Sequence, residues 1–223
     1  MIHNFLGVRE VVRISSRRHS LVWRVLSSRM PNHIIGLVGQ SGCGKGTVAD
    51  ILIKQYGAAY SRFSAVLGDI LTRLHIDHSR DHFIALSNAL RGSFGEDVLS
   101  YAIEKDAVLS TSPLVVIDGI RRPEDIVALE PLPFFKLVSI DVPAEMRYER
   151  MKKRGEKAGE QHMTWQEFVA QDHAPTEVTI PLVMSRAWKH LDNSKTAADL
   201  ETQVAEMMKE LGYEARQTQM PSV

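Results

Sequence analysis

Short apolar runs alternate with longer segments of helical periodicity from His33 onward. Strands are predicted over the apolar runs, at 34–38, 60–63, 114–117, 135–140 and 187–191. Helices are predicted where apolar side chains recur every three to four positions, at 47–56, 82–90, 97–108, 144–154, 165–171 and 197–211. A further helix is predicted to start after 56, with Ser64 as its cap. This alternation is typical of a parallel sheet covered by helices, so the predicted fold class is α/β with three layers.

A glycine-rich loop follows the first predicted strand and leads into a helix. The segment Gly-Gln-Ser-Gly-Cys-Gly-Lys fits the first seven positions of the Walker A pattern, and the predicted nucleotide contacts are Gly39, Gln40, Ser41, Gly42, Cys43, Gly44, Lys45, Gly46 and Thr47. Small residues let backbone N–H groups turn towards phosphate oxygens, while Lys45 supplies positive charge to the β- and γ-phosphates. Gly46 occupies the usual Ser or Thr slot. Thr47 is therefore the candidate Mg²⁺ contact, and whether its hydroxyl reaches the ion is left open.

Length and charge exclude some classes of protein. A chain of 223 residues is long enough for one domain with its own core. Lys+Arg and Asp+Glu balance at 27 each, so the charge gives no reason to expect a nucleic acid or a membrane as partner. The single cysteine can form no internal disulfide and no cysteine-based zinc cluster, which favours a reducing compartment, and the predicted location is cytoplasmic.

The first part of the chain differs in composition from the rest. Residues 1–31 form a predicted basic extension, rich in arginine and serine, in which Glu10 is the only acid. Three interpretations stay open: a transit peptide that would direct the protein to an organellar matrix, a segment that packs on or trails from the domain, or a start assigned too early, with Met30 as the initiator. The domain itself is predicted over 32–213, followed by a tail at 214–223.

The third predicted strand ends in a charged turn. Asp118 follows this strand at its carboxyl end, where ligands of open α/β sheets bind, and it is the best candidate for a Mg²⁺ contact. Arg121 and Arg122 come next and are predicted to face a phosphate acceptor. The simpler alternatives are that Asp118 caps a helix near Arg122-Pro123 and that the arginines lie in a solvated turn.

A second set of arginines lies on the helix predicted over 144–154. Arg147, Arg150 and Arg154 recur at near-helical spacing and lead into a polar stretch with two glycines, predicted to be a mobile lid that closes over the substrates. Arg150 and Arg154 are the predicted catalytic members. The alternative is an exposed face of salt bridges with Glu145 and Glu149.

Several of these segments resemble adenylate kinase and the wider family of P-loop nucleoside monophosphate kinases. Gly-Lys-Gly-Thr at 44–47 is the version of the loop found there, and Asp-Gly-Ile-Arg-Arg at 118–122 resembles their Asp-Gly-Phe-Pro-Arg segment. The resemblance implies that Asp118 organises Mg²⁺ and that Arg122 binds the acceptor phosphate. Residues 140–143 are similar to the strand end before their lid, which implies that Arg150 and Arg154 grip the transferring group.

The resemblance also covers the acceptor side. Residues 68–71 resemble the start of the monophosphate-binding helix, although the family's arginine would fall at Thr72 and this chain has Arg73. The predicted acceptor contacts are Asp69, Arg73, Arg91, Arg121 and Arg122. A group of microbial proteins described as nucleotide-kinase-like or dephospho-CoA-kinase-like is more similar over 118–121 and 165–172. The family implies a P-loop NTPase core, a helical acceptor-binding arm at about 64–108 and a short lid at about 150–172.

These features together predict a transferase that moves the γ-phosphate of Mg·ATP to a nucleoside or deoxynucleoside monophosphate, in nucleotide metabolism. Its partners would be ATP, Mg²⁺ and a small phosphate acceptor, with neither nucleic acid nor membrane, and the oligomeric state is left open. Two alternatives remain: a kinase of another small molecule such as dephospho-CoA, and a regulatory P-loop protein that binds nucleotide without transfer.

Overall fold

The computed structural model describes residues 31–155 and 160–216. Within these residues, five parallel strands form one sheet in the order β2-β3-β1-β4-β5. The strands are β1 (His33–Val38), β2 (Ala59–Arg62), β3 (Leu114–Ile120), β4 (Phe135–Asp141) and β5 (Lys189–Asp192). The predicted parallel sheet is confirmed, and the strand that leads into the glycine loop is its central member.

Helices cover both faces of the sheet. They are α1 (Lys45–Tyr56), α2 (Phe63–Arg73), α3 (Arg80–Phe94), α4 (Val98–Val108), α5 (Ala144–Arg154), α6 (Trp165–Asp172), α7 (Ile180–Met184) and α8 (Ala197–Glu210), with 3₁₀ turns at Pro123–Ile126 and Glu160–His162. Side chains of β1 alternate between two cores: Ile35 and Leu37 pack with α1 and α8, whereas Ile34 and Val38 pack with α2 and α4. The three-layer α/β prediction is confirmed.

The start of α2 differs from the prediction. Ser64 was expected to cap this helix, but the helix begins at Phe63 and its cap is Arg62, whose side chain makes no capping bond. Phe63 is buried in the core, so burial of this ring fixes the helix directly onto the end of β2. The Ser64 hydroxyl instead accepts a hydrogen bond from Arg62 Nε at 2.6 Å.

The segment between β2 and β3 consists of three helices joined by short connections at 74–79 and 95–97. Helices α2, α3 and α4 pack on one another here. Ser79 caps α3 with its side chain, and α3 ends at Gly95. Helix α3 covers Arg80–Phe94 and is longer at both ends than predicted. In the described part of the chain, no helix is both long and apolar enough to cross a membrane.

Parallel topology gathers the functional candidates at one edge of the sheet. The carboxyl end of β1 leads into the glycine loop, β3 ends at Asp118 to Ile120, and β5 is followed by Asn193. Because the carboxyl ends of parallel strands share an edge, residues from distant parts of the sequence meet there. The site is built at this edge.

Candidate functional site

The glycine loop has a backbone that a larger residue would disrupt. Gly44 caps α1 with φ of 100°, in the left-handed region that favours glycine. A Cβ atom at this position would lie 2.2 Å from Nδ2 of Asn193. At Gly46, by contrast, a Cβ atom would have no neighbour within 4 Å. Glycine is therefore required at 44 by both conformation and space, whereas the fold places no steric demand on 46.

Lys45 lies in the first turn of α1 and folds back across the loop. Its Nζ donates to the carbonyl oxygens of Gly39 at 2.6 Å and of Gln40 at 3.2 Å. The ammonium group is half-buried and next to the positive end of the helix. The loop thus holds a positive charge at the place where Walker A loops bind phosphates.

Asn193 supports the loop from the end of β5, the outer strand next to β4. Its Nδ2 donates to the carbonyl of Cys43 at 2.9 Å, and its backbone carbonyl accepts from Arg150 Nη2 at 2.8 Å. The residue is 7% exposed. The sequence prediction missed Asn193. Its position directly after the last strand was the available signal, since residues at the carboxyl ends of parallel strands line the site.

Arg147 and Asp172 form a second support beneath the loop. The guanidinium donates to both carboxylate oxygens of Asp172, at 2.7 and 2.6 Å, and also to the carbonyl of Ser41 at 3.3 Å. Asp172 in turn accepts from Gln40 Nε2 at 3.0 Å. The Arg147 side chain is 3% exposed and lies 5.2 Å from the Phe168 ring centroid. These contacts join α5, the end of α6 and the loop.

The burial of Arg147 bears on the alternative of an exposed, salt-bridged face. Its partner Asp172 comes from α6, and the partner of Arg150 is the backbone of Asn193, so neither bond is made along α5 itself. Arg154 contacts Glu160, within the predicted lid, at 2.9 Å. Arg147 therefore bonds to the loop itself, and Arg150 bonds to Asn193, the residue that supports the loop.

Asp118 lies half-buried at the end of β3. One carboxylate oxygen accepts from the Tyr60 hydroxyl at 3.1 Å, and the other accepts from the backbone N–H of Gly119 at 2.7 Å. Burial, followed by the charge of Asp118 and the hydrogen bond to it, raises the pKa of Tyr60 above its ordinary value. Asp118 does not cap the 3₁₀ turn that follows it. That role belongs to Asp125, which accepts from the backbone N–H of Arg122 at 3.0 Å.

The two arginines after β3 have separate carboxylate partners. Arg121 Nε lies 3.6 Å from Glu177, and Arg122 Nη1 lies 3.4 Å from Glu96. The Arg121 side chain is 48% exposed, and that of Arg122 is 29% exposed. Both guanidinium groups are thus accessible and only loosely held. Glu177 also accepts from the Ser41 hydroxyl at 3.4 Å, so it connects this turn with the glycine loop.

The remaining predicted site residues lie on α1, α2 and α3. Thr47 is exposed in the first turn of α1, and Asp69 and Arg73 are exposed on α2. Arg91 is 6% exposed, and its guanidinium bonds to Asp125 at 2.6 Å. Asp69 and Arg73 are placed on a surface that a ligand can reach. Arg91 is placed behind the turn that carries the other arginines.

The described site residues include no ready-made cluster of metal ligands. Among residues 31–155 and 160–216, no group of three or more His, Cys, Asp or Glu is arranged to bind a metal. Mg²⁺ is commonly held by one or two protein oxygens together with phosphate oxygens and water. One carboxylate at Asp118 and one hydroxyl at Thr47 fit that requirement.

Proteins similar to this chain include a relative found by sequence and two kinases found by structure. The UPF0200 protein of Sulfurisphaera tokodaii is 25% identical over 181 residues, covering 80% of this chain and 97% of the relative. The shikimate kinase of Bacteroides thetaiotaomicron has a TM-score of 0.54 at 11% identity, covering 81% of this chain and 99% of that chain. The gluconokinase of Sinorhizobium meliloti 1021 has a TM-score of 0.52 at 17% identity, covering 82% and 94%.

At these identities, the two kinase structures show the fold alone. The family is shown by a separate match, in which a family model described as an AAA domain matches residues 35–172, more than half of the chain. This range contains the glycine loop, Asp118 and the turn after it, and it ends at Asp172. The chain therefore belongs to the AAA domain family, and its three-layer core has the P-loop kinase-like fold.

Proposed function

We propose that this protein is an ATP-dependent phosphotransferase that moves the γ-phosphate of Mg·ATP to a nucleoside or deoxynucleoside monophosphate. One observation carries the proposal. The Walker A loop and the Asp118 turn end the neighbouring strands β1 and β3, so a phosphate-binding loop and an arginine-bearing turn share one edge of the sheet. A protein that only bound nucleotide would need the loop but not the arginines beside it.

The loop would bind the phosphates of ATP. Lys45 would exchange its bonds to the Gly39 and Gln40 carbonyls for phosphate oxygens, which are stronger partners for an ammonium group. Arg150 supports this side of the site, since its Nη1 is buried and has no hydrogen-bond partner among the described residues. Buried donors are rarely left unpaired in proteins, so a ligand oxygen is the expected partner.

Asp118 and the arginines after it would bind the metal and the acceptor. Mg²⁺ would be held by Asp118 and, directly or through water, by Thr47, and it neutralises charge on the phosphates during transfer. Arg121 and Arg122 are accessible cations on the arm side, suited to an acceptor that is itself an anion. Phosphoryl transfer requires mainly positioning and counter-charge, and these groups supply both.

The residues of the arm would complete the acceptor site. Asp69 and Arg73 are exposed on α2, in the segment similar to a monophosphate-binding helix. Arg62 is the partner of Asp118 in the register between β2 and β3, so another cation stands beside the proposed metal ligand. This concentration of positive charge favours an acceptor with a phosphate group over a neutral one.

The proposal is tested with the purified full-length chain. The protein is incubated with Mg·ATP and a panel of nucleoside and deoxynucleoside monophosphates plus dephospho-CoA, and ADP release is followed with each acceptor and with none. We expect at least one monophosphate to raise ADP release. Stimulation by dephospho-CoA alone would reassign the acceptor. If no acceptor raises the rate above that without one, the transferase proposal is wrong and a nucleotide-binding regulatory role replaces it.

A further inference from the structure

A buried ion pair lies behind the arginine turn and takes no direct part in the transfer proposed above. Arg91 of α3 donates to Asp125 of the 3₁₀ turn over 2.6 Å. Their side chains are only 6% and 4% exposed. The pair therefore joins the arm to the core at a place where water does not screen the charges.

The second carboxylate oxygen of Asp125 accepts hydrogen bonds from the backbone of the arginine turn. That oxygen accepts from the backbone N–H groups of Arg121 and Arg122, each at 3.0 Å. A carboxylate that accepts two N–H groups and a guanidinium is held from three directions by charge-assisted bonds. The backbone positions of both predicted acceptor arginines are thus determined by this one side chain.

Arg91 makes further bonds that lead to the same arginines. Its Nη1 donates to the backbone carbonyl of Glu96, and its Nε donates to the Ser87 hydroxyl at 3.4 Å. The Glu96 carboxylate is the partner of Arg122, at 3.4 Å. Arg91 therefore holds both the residue that fixes the backbone of Arg122 and the residue that contacts its guanidinium.

Stability alone is a weak reason for such a pair. Burying two charges removes them from water, and replacing a buried pair with apolar side chains of similar volume is often neutral or favourable for stability. The bonds made here converge on the backbone of the arginine turn rather than on the core. Their arrangement is that of a support for groups that must point in a fixed direction.

We propose that Arg91 and Asp125 are positioning residues that hold Arg121 and Arg122 in place for the anionic group of the acceptor. The inference rests on the proposed transferase function and deepens it on the acceptor side. It assigns Arg91 an indirect role, since its guanidinium is bonded within the protein and the residue is only 6% exposed. Helix α3 of the arm thereby affects the acceptor site through buried contacts within the protein.

The first test compares the effect of substitutions on the acceptor with their effect on ATP binding. In Arg91→Lys and Asp125→Asn we expect KM for the acceptor to rise by on the order of 10- to 100-fold, the scale of a small misplacement of binding groups. The dissociation constant for ATP should stay within about twofold, because these residues do not contact the glycine loop. Matched controls are Arg186→Lys and Glu130→Gln, which change an exposed ion pair in the same way.

A second variant addresses the case in which the single substitutions prevent the protein from folding. Arg91→Met/Asp125→Leu removes both charges together and replaces them with apolar groups, so no buried charge is left unpaired. The backbone N–H groups of Arg121 and Arg122 still lose their acceptor, so we expect a thermal unfolding midpoint below that of the parent but above that of Asp125→Asn, while KM for the acceptor stays raised. If it regains the parent KM, the pair is structural only and the proposal is overturned.

A double-mutant cycle shows whether the pair acts through the turn. Removing the Arg122 guanidinium removes part of what Asp125 positions, so Asp125→Asn/Arg122→Ala should raise KM for the acceptor by less than the product of the two single fold-changes, and the effect through Arg121 should remain. Fully additive effects would overturn the proposal. If the parent protein uses an acceptor and Asp125→Asn has the same KM for it, the positioning role is refuted and the transferase function stands. If the parent protein uses no acceptor, the transferase function is refuted, and the positioning role is refuted as well.

Discussion

The side-chain amide of Asn193 donates to the carbonyl of Cys43 at 2.9 Å, although 150 residues separate them in the sequence. The bond connects the end of the last strand with the middle of the glycine loop. Asn193→Ala would leave a buried carbonyl unpaired and should lower the free energy of unfolding by about 1 to 3 kcal/mol. We also expect the dissociation constant for ATP to rise by roughly 5- to 30-fold, which corresponds to a loss of about 1 to 2 kcal/mol of binding free energy.

Calorimetry with a non-hydrolysable ATP analogue measures this effect on binding. Asn32→Ala is the control, because Asn32 is exposed at the opposite end of β1. Unchanged affinity in Asn193→Ala would show that the loop keeps its shape without the amide.

Two glycines of the loop should respond in opposite ways to the same change. Gly44→Ala places a side chain at φ of 100° and within 2.2 Å of the Asn193 amide, so it should lower the free energy of unfolding by more than about 1 kcal/mol and weaken ATP binding. Gly46→Ala lies in the first turn of α1 with open space around it and should leave stability equal or raised by up to about 1 kcal/mol. Thermal unfolding of the two variants measures the contrast. Equal midpoints would contradict the close approach of Asn193.

Loss of the Lys45 ammonium should reduce catalysis more than folding. Lys45→Ala is expected to lower acceptor-dependent turnover by on the order of 10² to 10³, the scale for one preorganised charge-stabilising group. Initial rates of ADP release measure this effect. Lys54→Ala, on the exposed face of α1, serves as control and should keep parent activity. A Lys45→Ala protein with parent turnover would remove this residue from the mechanism.

Asp172 should contribute far more stability than an exposed carboxylate. Asp172→Ala leaves the buried guanidinium of Arg147 without its carboxylate, and the free energy of unfolding should fall by about 3 to 5 kcal/mol. Asp50→Ala breaks an exposed i,i+4 pair and should change it by less than about 1 kcal/mol. Urea unfolding at neutral pH compares the two. Similar losses would mean that Arg147 finds another partner.

The capping box of α6 predicts a dependence of stability on pH. The backbone N–H and the hydroxyl of Thr164 donate to Glu167 at 2.7 and 2.9 Å, and these bonds lower the pKa of Glu167 below its ordinary value. A carboxylate with a lowered pKa in the folded state contributes stability above its unfolded pKa of about 4.3, and this contribution is lost as pH falls through the folded value.

Glu167→Gln should therefore be less stable than the parent at pH 7, and the difference should shrink as the pH is lowered below about 4.3. Thermal unfolding across this range measures it, with Glu201→Gln on the exposed face of α8 as control. A difference that persists unchanged at low pH would show that the carboxylate charge does not support the cap.

The parts of the site that were predictable are those encoded by neighbouring residues. The loop carries its own pattern of glycines and a lysine, and Asp118 follows an apolar strand, so both could be located from sequence. The residues that support the loop carry no such local motif, and the position of Asn193 after the last strand was its one signal. Asn193 and Asp172 contact the loop only because separate strands and helices converge there, and no local periodicity marks that convergence.

The helix α5 shows how a local pattern can point in the wrong direction. Arg147 and Arg150 alternate with glutamates, which is typical of an exposed face stabilised by salt bridges along one helix. The structure instead turns Arg147 towards Ser41 and Asp172, and its charge is balanced by a residue 25 positions away. Burial of a charged side chain depends on a partner from elsewhere in the chain, which composition alone does not identify.

The central place of β1 in the sheet has a consequence for how the protein is made. Synthesis proceeds from the amino end, so β1 and the glycine loop emerge before the strands that flank them at 114–120 and 135–141, and long before Asn193. Pairing between such distant segments must first overcome the entropy of closing long loops, and it comes late in folding. A nascent chain that ends before residue 193 contains every residue of the Walker pattern but lacks the amide that holds its shape. The proposed phosphate binding therefore requires the finished domain, because the short sequence by which the loop is recognised does not include Asn193.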